Sequence, residues 1–342
     1  GLFYICIFTI AFGFSTGSQI VIARRNGEGR YSDVGPVMIQ GVMFLLLIAI
    51  LMFGFTKAFG GNIMRLLVSS ESIYEGTMEF LDWRIYGFFF SFVNVMFRAL
   101  YIGITRTKVL TINAVVMALT NVILDYALIF GKFGLPEMGI KGAALGTICA
   151  QFLALLGVLY HFSSPKSFIR FQKGIFKVRW HIVGGMLAIG LSPFLMNLCS
   201  CLIVLLINNG LKDFGGDMYI GAYGIVNRIV FLFIMIVMGF NQGMQPIAGY
   251  NFGARQLSRM IQVLKYTTLC AITVTTLGFL ICQIFPRTII RMFTGDSDLI
   301  DIAEHGMRLI LLFFPLVGFQ MVSSSFFQSI GMAGKAIFLS LT

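Results

Sequence analysis

Three ionisable residues, Arg98, Asp125 and Arg228, interrupt long apolar runs in this 342-residue chain. A charge at the centre of a bilayer costs about 2.5–3.5 kcal/mol on insertion scales, so each of them needs a reason. Arg98 and Arg228 have long stems, and either can carry its guanidinium to the nearer membrane surface or pack between helices. Asp125 is short and has no basic residue within one helical turn. Asn121 precedes it by four, which places amide and carboxyl on one helix face. A carboxyl held there can take up and release a proton, and the two oxygen-bearing side chains supply two ligands for a hard cation such as sodium. The plainer alternative is a carboxyl tied to Asn121 with no further role. Gln242, Gln245 and Asn251 either line a cavity or pack among Gly239, Gly243 and Gly253. Pro193 is expected to kink its apolar run, for motion or for shape. The six cysteines lie in apolar runs and read as small hydrophobes, while His161, His181 and His305 sit at run ends as solvated residues. No P-loop supports an ATP-driven pump, and no cluster of acids, histidines or paired nucleophile and base supports an enzyme. No cofactor or resident metal is expected beyond the coupling ion.

The elements that must position these residues are membrane helices. The chain is 58% hydrophobic and 11% charged, whereas a soluble domain is about a quarter charged. Crossing a bilayer takes about 20 apolar residues, and nine stretches qualify: 1–22, 34–56, 85–105, 109–131, 142–160, 182–211, 218–251, 266–286 and 309–334, with a tenth starting at 336. None alternates as a barrel strand would, so the fold class is all-α, a polytopic membrane protein. The loop 163–181 holds five basic residues and no acid, which sets it in the cytoplasm. Alternation then gives the inside loops a charge of +12, the outside loops −2 and the spans +1, together the net +11. That asymmetry accounts for the basic balance without nucleic acid. The outside acids gather in two amphipathic lead-ins, Glu71 to Asp82 and Asp296 to Glu304.

An internal repeat relates the two ends of the chain. Gly13, Phe14, Gly17, Gln19 and Gly27 match Gly239, Phe240, Gly243, Gln245 and Gly253 at an offset of 226, and Ile102-Gly103 with Lys108 match Ile330-Gly331 with Lys335. The expected architecture is two six-helix bundles in parallel repeat: 1–162, a basic linker 163–181, and 182–342. One helix before Gly1 and about two after Thr342 would complete it, so the chain is expected to be truncated at both ends. Two bundles around a midplane cavity suit alternating access.

The run NVILDYALIFGKFGLPEMGIKGAALGTICAQ, Asn121 to Gln151, resembles a signature of the multidrug and toxic compound extrusion (MATE) family, and QGMQPIAGYNFGA, Gln242 to Ala254, resembles the inner end of that family's eighth helix. The resemblance implies a secondary antiporter of the plasma (inner) membrane that expels cationic, amphipathic organic compounds in exchange for protons or sodium ions, acting as a monomer. It also implies that Asp125 and Asn121 belong to a cation site in the first bundle, joined by Thr147 and by Asn94. The alternative is a flippase for lipid-linked or polysaccharide substrates, for which Arg98 and Arg228 are the cationic lining on offer.

Overall fold

The computed structural model describes residues 2–67, 71–164 and 179–341, all in helices and short turns with no strand among them. Most of the basic loop 163–181 falls outside the described residues. Two compact units divide the chain, Gly1–Leu187 and Ala188–Thr342.

In the first unit, α1 (Leu2–Gly27) and α2 (Tyr31–Leu67) form a hairpin. Gly29, at φ +71°, turns the chain at its tip. Arg24 and Arg25 hold Glu28 at 3.0 and 3.2 Å, and Arg30 holds Asp33, so the tip is closed by charges at the membrane edge. The acidic lead-in becomes α3 (Glu71–Arg84), which meets α4 (Gly87–Gly103) at a 56° elbow. On α4, Phe88, Phe92, Met96 and Leu100 recur every four residues and are fully buried in a core shared with α1 and α2. In a membrane this core is held by close packing rather than by exclusion of water. At the α1–α4 crossing, a β-carbon on Gly103 would lie 2.9 Å from the Gln19 carbonyl, so only glycine fits. Then follow α5 (Thr107–Ile129) and α6 (Gly139–Ser163). Ile112, Val115, Leu119, Val122 and Ile123 of α5 are more than half exposed, a face that suits lipid and not water.

The next helix, α7 (Trp180–Gly253), starts in the first unit, where Ile182, Val183 and Met186 join the core. Ser18 Oγ lies 3.1 Å from Met186 Sδ, and the Arg179 amide donates to Gln40 Oε1 at 3.1 Å. The polar stretch expected as a loop between 211 and 218 is continuous with helix except at Gly216, whose φ of 70° and ψ of −166° suit glycine alone. The non-helical angles within α7 lie at Gly216, and Pro193 sits inside the helix.

The second unit continues with α8 (Leu257–Ile284), α9 (Pro286–Arg291), α10 (Ser297–Ile310), α11 (Phe314–Ser329) and α12 (Ala333–Leu341). Asp296 caps α10, accepting from the amides of Asp298 and Leu299 at 3.0 and 3.4 Å. This second lead-in meets α11 at a 52° elbow. Its buried side is Ile300, Ala303 and Met307, while Asp301 and Glu304 grip Arg287 at 2.7 and 2.6 Å. Those carboxylates hold the Arg287 guanidinium even more firmly protonated than usual.

Among the described residues six helices are long and apolar enough to span a membrane, or eight with each bent pair taken as one span. Both lead-ins read from the sequence are the first arms of those pairs. The expected first span coincides with α1, whose first turns lie outside the described side chains. One hydrogen bond recurs at the offset of the repeat: Ser15 Oγ donates to the Val95 carbonyl at 2.9 Å, and Asn241 Nδ2 donates to the Met321 carbonyl at 3.5 Å, each pair 80 residues apart.

Candidate functional site

The turn between α5 and α6 is a tight closure. Gly131, Phe133, Gly134 and Gly139 all take positive φ, and the amides of Lys132 and Met138 return to the Ala127 and Leu128 carbonyls at 2.9 and 2.8 Å. Below it the two helices nearly touch. A β-carbon on Gly142 would lie 2.6 Å from the Leu128 carbonyl oxygen, and one on Gly146 would press into Asp125 Oδ1 and lie 3.1 Å from the Asp125 amide. Two glycines one turn apart thus bring the α6 backbone against the carboxylate.

Three of the residues singled out from the sequence meet there. Asn121 Nδ2 donates to Asp125 Oδ1 at 3.2 Å and to Thr147 Oγ1 at 3.3 Å. The Thr147 hydroxyl donates to the Ala143 carbonyl at 2.9 Å, so its oxygen faces Asn121 as an acceptor. One amide therefore holds a carboxylate and a hydroxyl from two helices. Asn121 Oδ1 and Asp125 Oδ2 remain as acceptors, and no ion pair within 4 Å involves Asp125 among the described residues. The three side chains are half-buried, which leaves the carboxylate reachable. This is a set of hard oxygen donors around one negative charge, and it suits a sodium ion or a proton.

Asn94, on α4, does not bond to that trio. Its Nδ2 donates to the main-chain oxygen of Gln151 at 2.8 Å, one turn of α6 beyond Thr147. Gln151 Oε1 accepts from Ser91 Oγ at 2.8 Å and from Arg84 Nη1 at 3.3 Å. The sequence reading missed Gln151, Ser91 and Arg84, because an arginine in an acidic lead-in and a glutamine at the end of a motif carry no signal of their own.

The other candidates stand apart. Arg98 is exposed, its guanidinium 6.0 Å from the centre of the Phe12 ring, and Arg228 is exposed on α7. Gln242 is half-buried on α7. Gln245 is buried and donates to Gln328 Oε1 on α11 at 3.1 Å, a partner the sequence did not reveal. The Pro193 carbonyl accepts from Asn197 Nδ2 at 2.9 Å.

Comparison with known proteins follows the same lines. The family model MatE matches residues 2–127 and 188–341. A protein described as "Probable multidrug resistance protein NorM" from Thermotoga maritima is 25% identical over 300 residues, which cover 87% of this chain. The "Multidrug export protein MepA" of Staphylococcus aureus is 26% identical over 346 residues, covering 98% of this chain. The chain spans 64% of the length of the first relative and 74% of the second. Among solved structures, that of the MATE multidrug transporter DinF-BH superposes with a TM-score of 0.89 at 27% identity, covering 99% of this chain and 75% of that one.

Proposed function

The chain belongs to the MatE family, and from that premise we propose that it is a secondary antiporter, exporting cationic, amphipathic organic compounds in exchange for protons or sodium ions. The observation that carries this reading is the Asn121–Asp125–Thr147 cluster, a carboxylate held between two membrane helices with oxygens to spare. Exchange follows from its charge. With a proton or sodium ion bound, the site is neutral and its free oxygens are satisfied. Without one, a bare carboxylate faces hydrocarbon at a cost of several kcal/mol on insertion scales. An enclosed, re-orienting state is therefore open only to a protein that carries the coupling ion or, in its place, a cationic substrate, and that exclusion makes the transport an exchange.

Two helical bundles in parallel repeat, 1–162 and 182–342, are joined by the basic loop 163–181 on the cytoplasmic side, and the protein works as a monomer in the bacterial inner membrane. Phenylalanine and methionine side chains supply ring faces and adaptable packing for apolar cations of varied shape. Gln242 and Gln245 serve the inner half of the second bundle, and Pro193 shapes its first helix.

The test is efflux of ethidium from proteoliposomes holding the full-length protein while proton and sodium gradients are varied separately. Asp125→Asn keeps the size and the hydrogen bond to Asn121 but removes the charge, and we expect it to lose gradient-driven efflux by at least about tenfold. A variant that transports like the parent, with the same ion dependence, overturns the coupling role.

A further inference from the structure

Arg84 ends α3 and is buried, 7% exposed, although it carries a charge. A buried guanidinium is tolerated only where its hydrogen bonds are met, and breaking one is costly. Its Nη1 reaches Gln151 Oε1 on α6, and that oxygen also takes the hydroxyl of Ser91, on the other arm of the elbow. Asn94, one turn further along that arm, donates to the Gln151 main chain. Both arms of the 56° bend therefore converge on a single residue of α6. The elbow is built to admit this: a β-carbon on Gly87 would crowd Arg84 Nη1 and lie 3.1 Å from Gln151 Oε1 and 3.3 Å from Ile148. Gln151 follows Thr147 by four residues, so the two lie one above the other on the same face of α6. The Asn94 Oδ1 is buried with no hydrogen-bond partner among the described residues, and the Gln151 bond fixes which way that amide points.

We infer that Arg84 and Gln151 are positioning residues for the cation site, linking the angle of the α3–α4 elbow to cation occupancy on the neighbouring turn of α5 and α6. This rests on the reading of Asp125 as the coupling carboxylate. If the elbow opens, Gln151 leaves Arg84 and Ser91, and a buried charge loses a partner. If the elbow stays, α6 holds Thr147 where Asn121 can bridge it to Asp125. A cation that prefers one of these arrangements shifts the elbow, just as the elbow shifts cation affinity.

The experiment is ethidium efflux by the reconstituted full-length protein, titrated with the driving cation, sodium or proton, and separately with ethidium. Gln151→Ala is expected to raise the cation concentration for half-maximal efflux by about tenfold, as loss of an outer partner does at ion sites, with the KM for ethidium changed by no more than about twofold. Gln151→Glu keeps an acceptor for Arg84 and Ser91, and is expected to stay within about threefold of the parent. Ser91→Ala removes one donor without stranding a charge, and decides the matter if Gln151→Ala does not fold: a cation shift of about threefold in the same direction supports the inference. Unchanged cation dependence in a folded Gln151→Ala or Ser91→Ala protein overturns it, as does a shift confined to ethidium KM. Asp125→Asn run alongside separates the two readings. If Asp125→Asn loses its ion dependence while the Gln151 and Ser91 variants match the parent, only the positioning role falls. If Asp125→Asn keeps its ion dependence, the coupling role falls with it.

Discussion

The carboxylate of Asp125 and the absent side chain of Gly146 are two halves of one feature. A methyl group on Gly146 would occupy the place of Asp125 Oδ1 and stand 3.1 Å from the Asp125 amide. The carboxylate can rotate away, but it then leaves Asn121. Gly146→Ala is accordingly expected to lower ethidium efflux at least about tenfold while the protein still folds, with a loss of about 1–3 kcal/mol from overpacking. Efflux and thermal unfolding in detergent check the two parts, and Gly184→Ala, where a β-carbon meets nothing within 4 Å, is the control. The sequence made Asp125 and Asn121 legible because a lone acid in an apolar run stands out and a four-residue spacing gives it a neighbour. Gly146 was not legible: it is one of 38 glycines, and which of them admits a partner depends on the helix across the interface. Thr147 came into view through the family motif, and in the structure its hydroxyl oxygen lies 3.3 Å from Asn121 Nδ2.

Between helices, the elbows and the break in α7 set the geometry. Hydropathy windows locate apolar length but carry no information on backbone direction, so the bends of 56° and 52° had no signature beyond the acidic lead-ins that precede them. The acids were informative for a physical reason: an amphipathic helix lying at the interface needs charges on its wet face, and a spanning helix does not. Gly216 was hidden among polar neighbours that continue as helix. Its side has open space, so a β-carbon there meets no atom and the only penalty is in φ and ψ. Gly216→Ala is expected to destabilise the protein by about 1–3 kcal/mol, read as a lowered melting temperature in detergent, with the cation dependence of efflux unchanged. An unaltered melting temperature would mean that this turn relaxes into an ordinary helical conformation.

Across the whole chain, charge asymmetry and the repeat speak for the same arrangement. The loops assigned to the inside carry +12 and those outside −2, and short loops with such an excess stay on the cytoplasmic side. In a background without native cysteines, Arg255→Cys is expected to react with a membrane-impermeant maleimide only in everted vesicles, and Glu137→Cys only in intact cells. Reaction of both from one side would overturn the orientation. The recurrence of one side-chain to main-chain bond, Ser15 to Val95 and Asn241 to Met321, follows the register that the glycine and glutamine matches indicated. Of the matched glycines, Gly103 sits at a close crossing, whereas a β-carbon on Gly239 or Gly243 would meet nothing within 4 Å.

The first two turns of α7 have a bearing on how the protein is made. Ile182, Val183 and Met186 are part of the first unit's core, and Met186 covers the fully buried Ser18. The first unit is therefore closed by residues that leave the ribosome only after the basic loop has been synthesised. A nascent chain ending at 163 holds α1 to α6 but lacks the piece that packs against α1 and α2. Packing of α1 and α2 against these residues can be completed only once the start of α7 has followed the loop out of the ribosome.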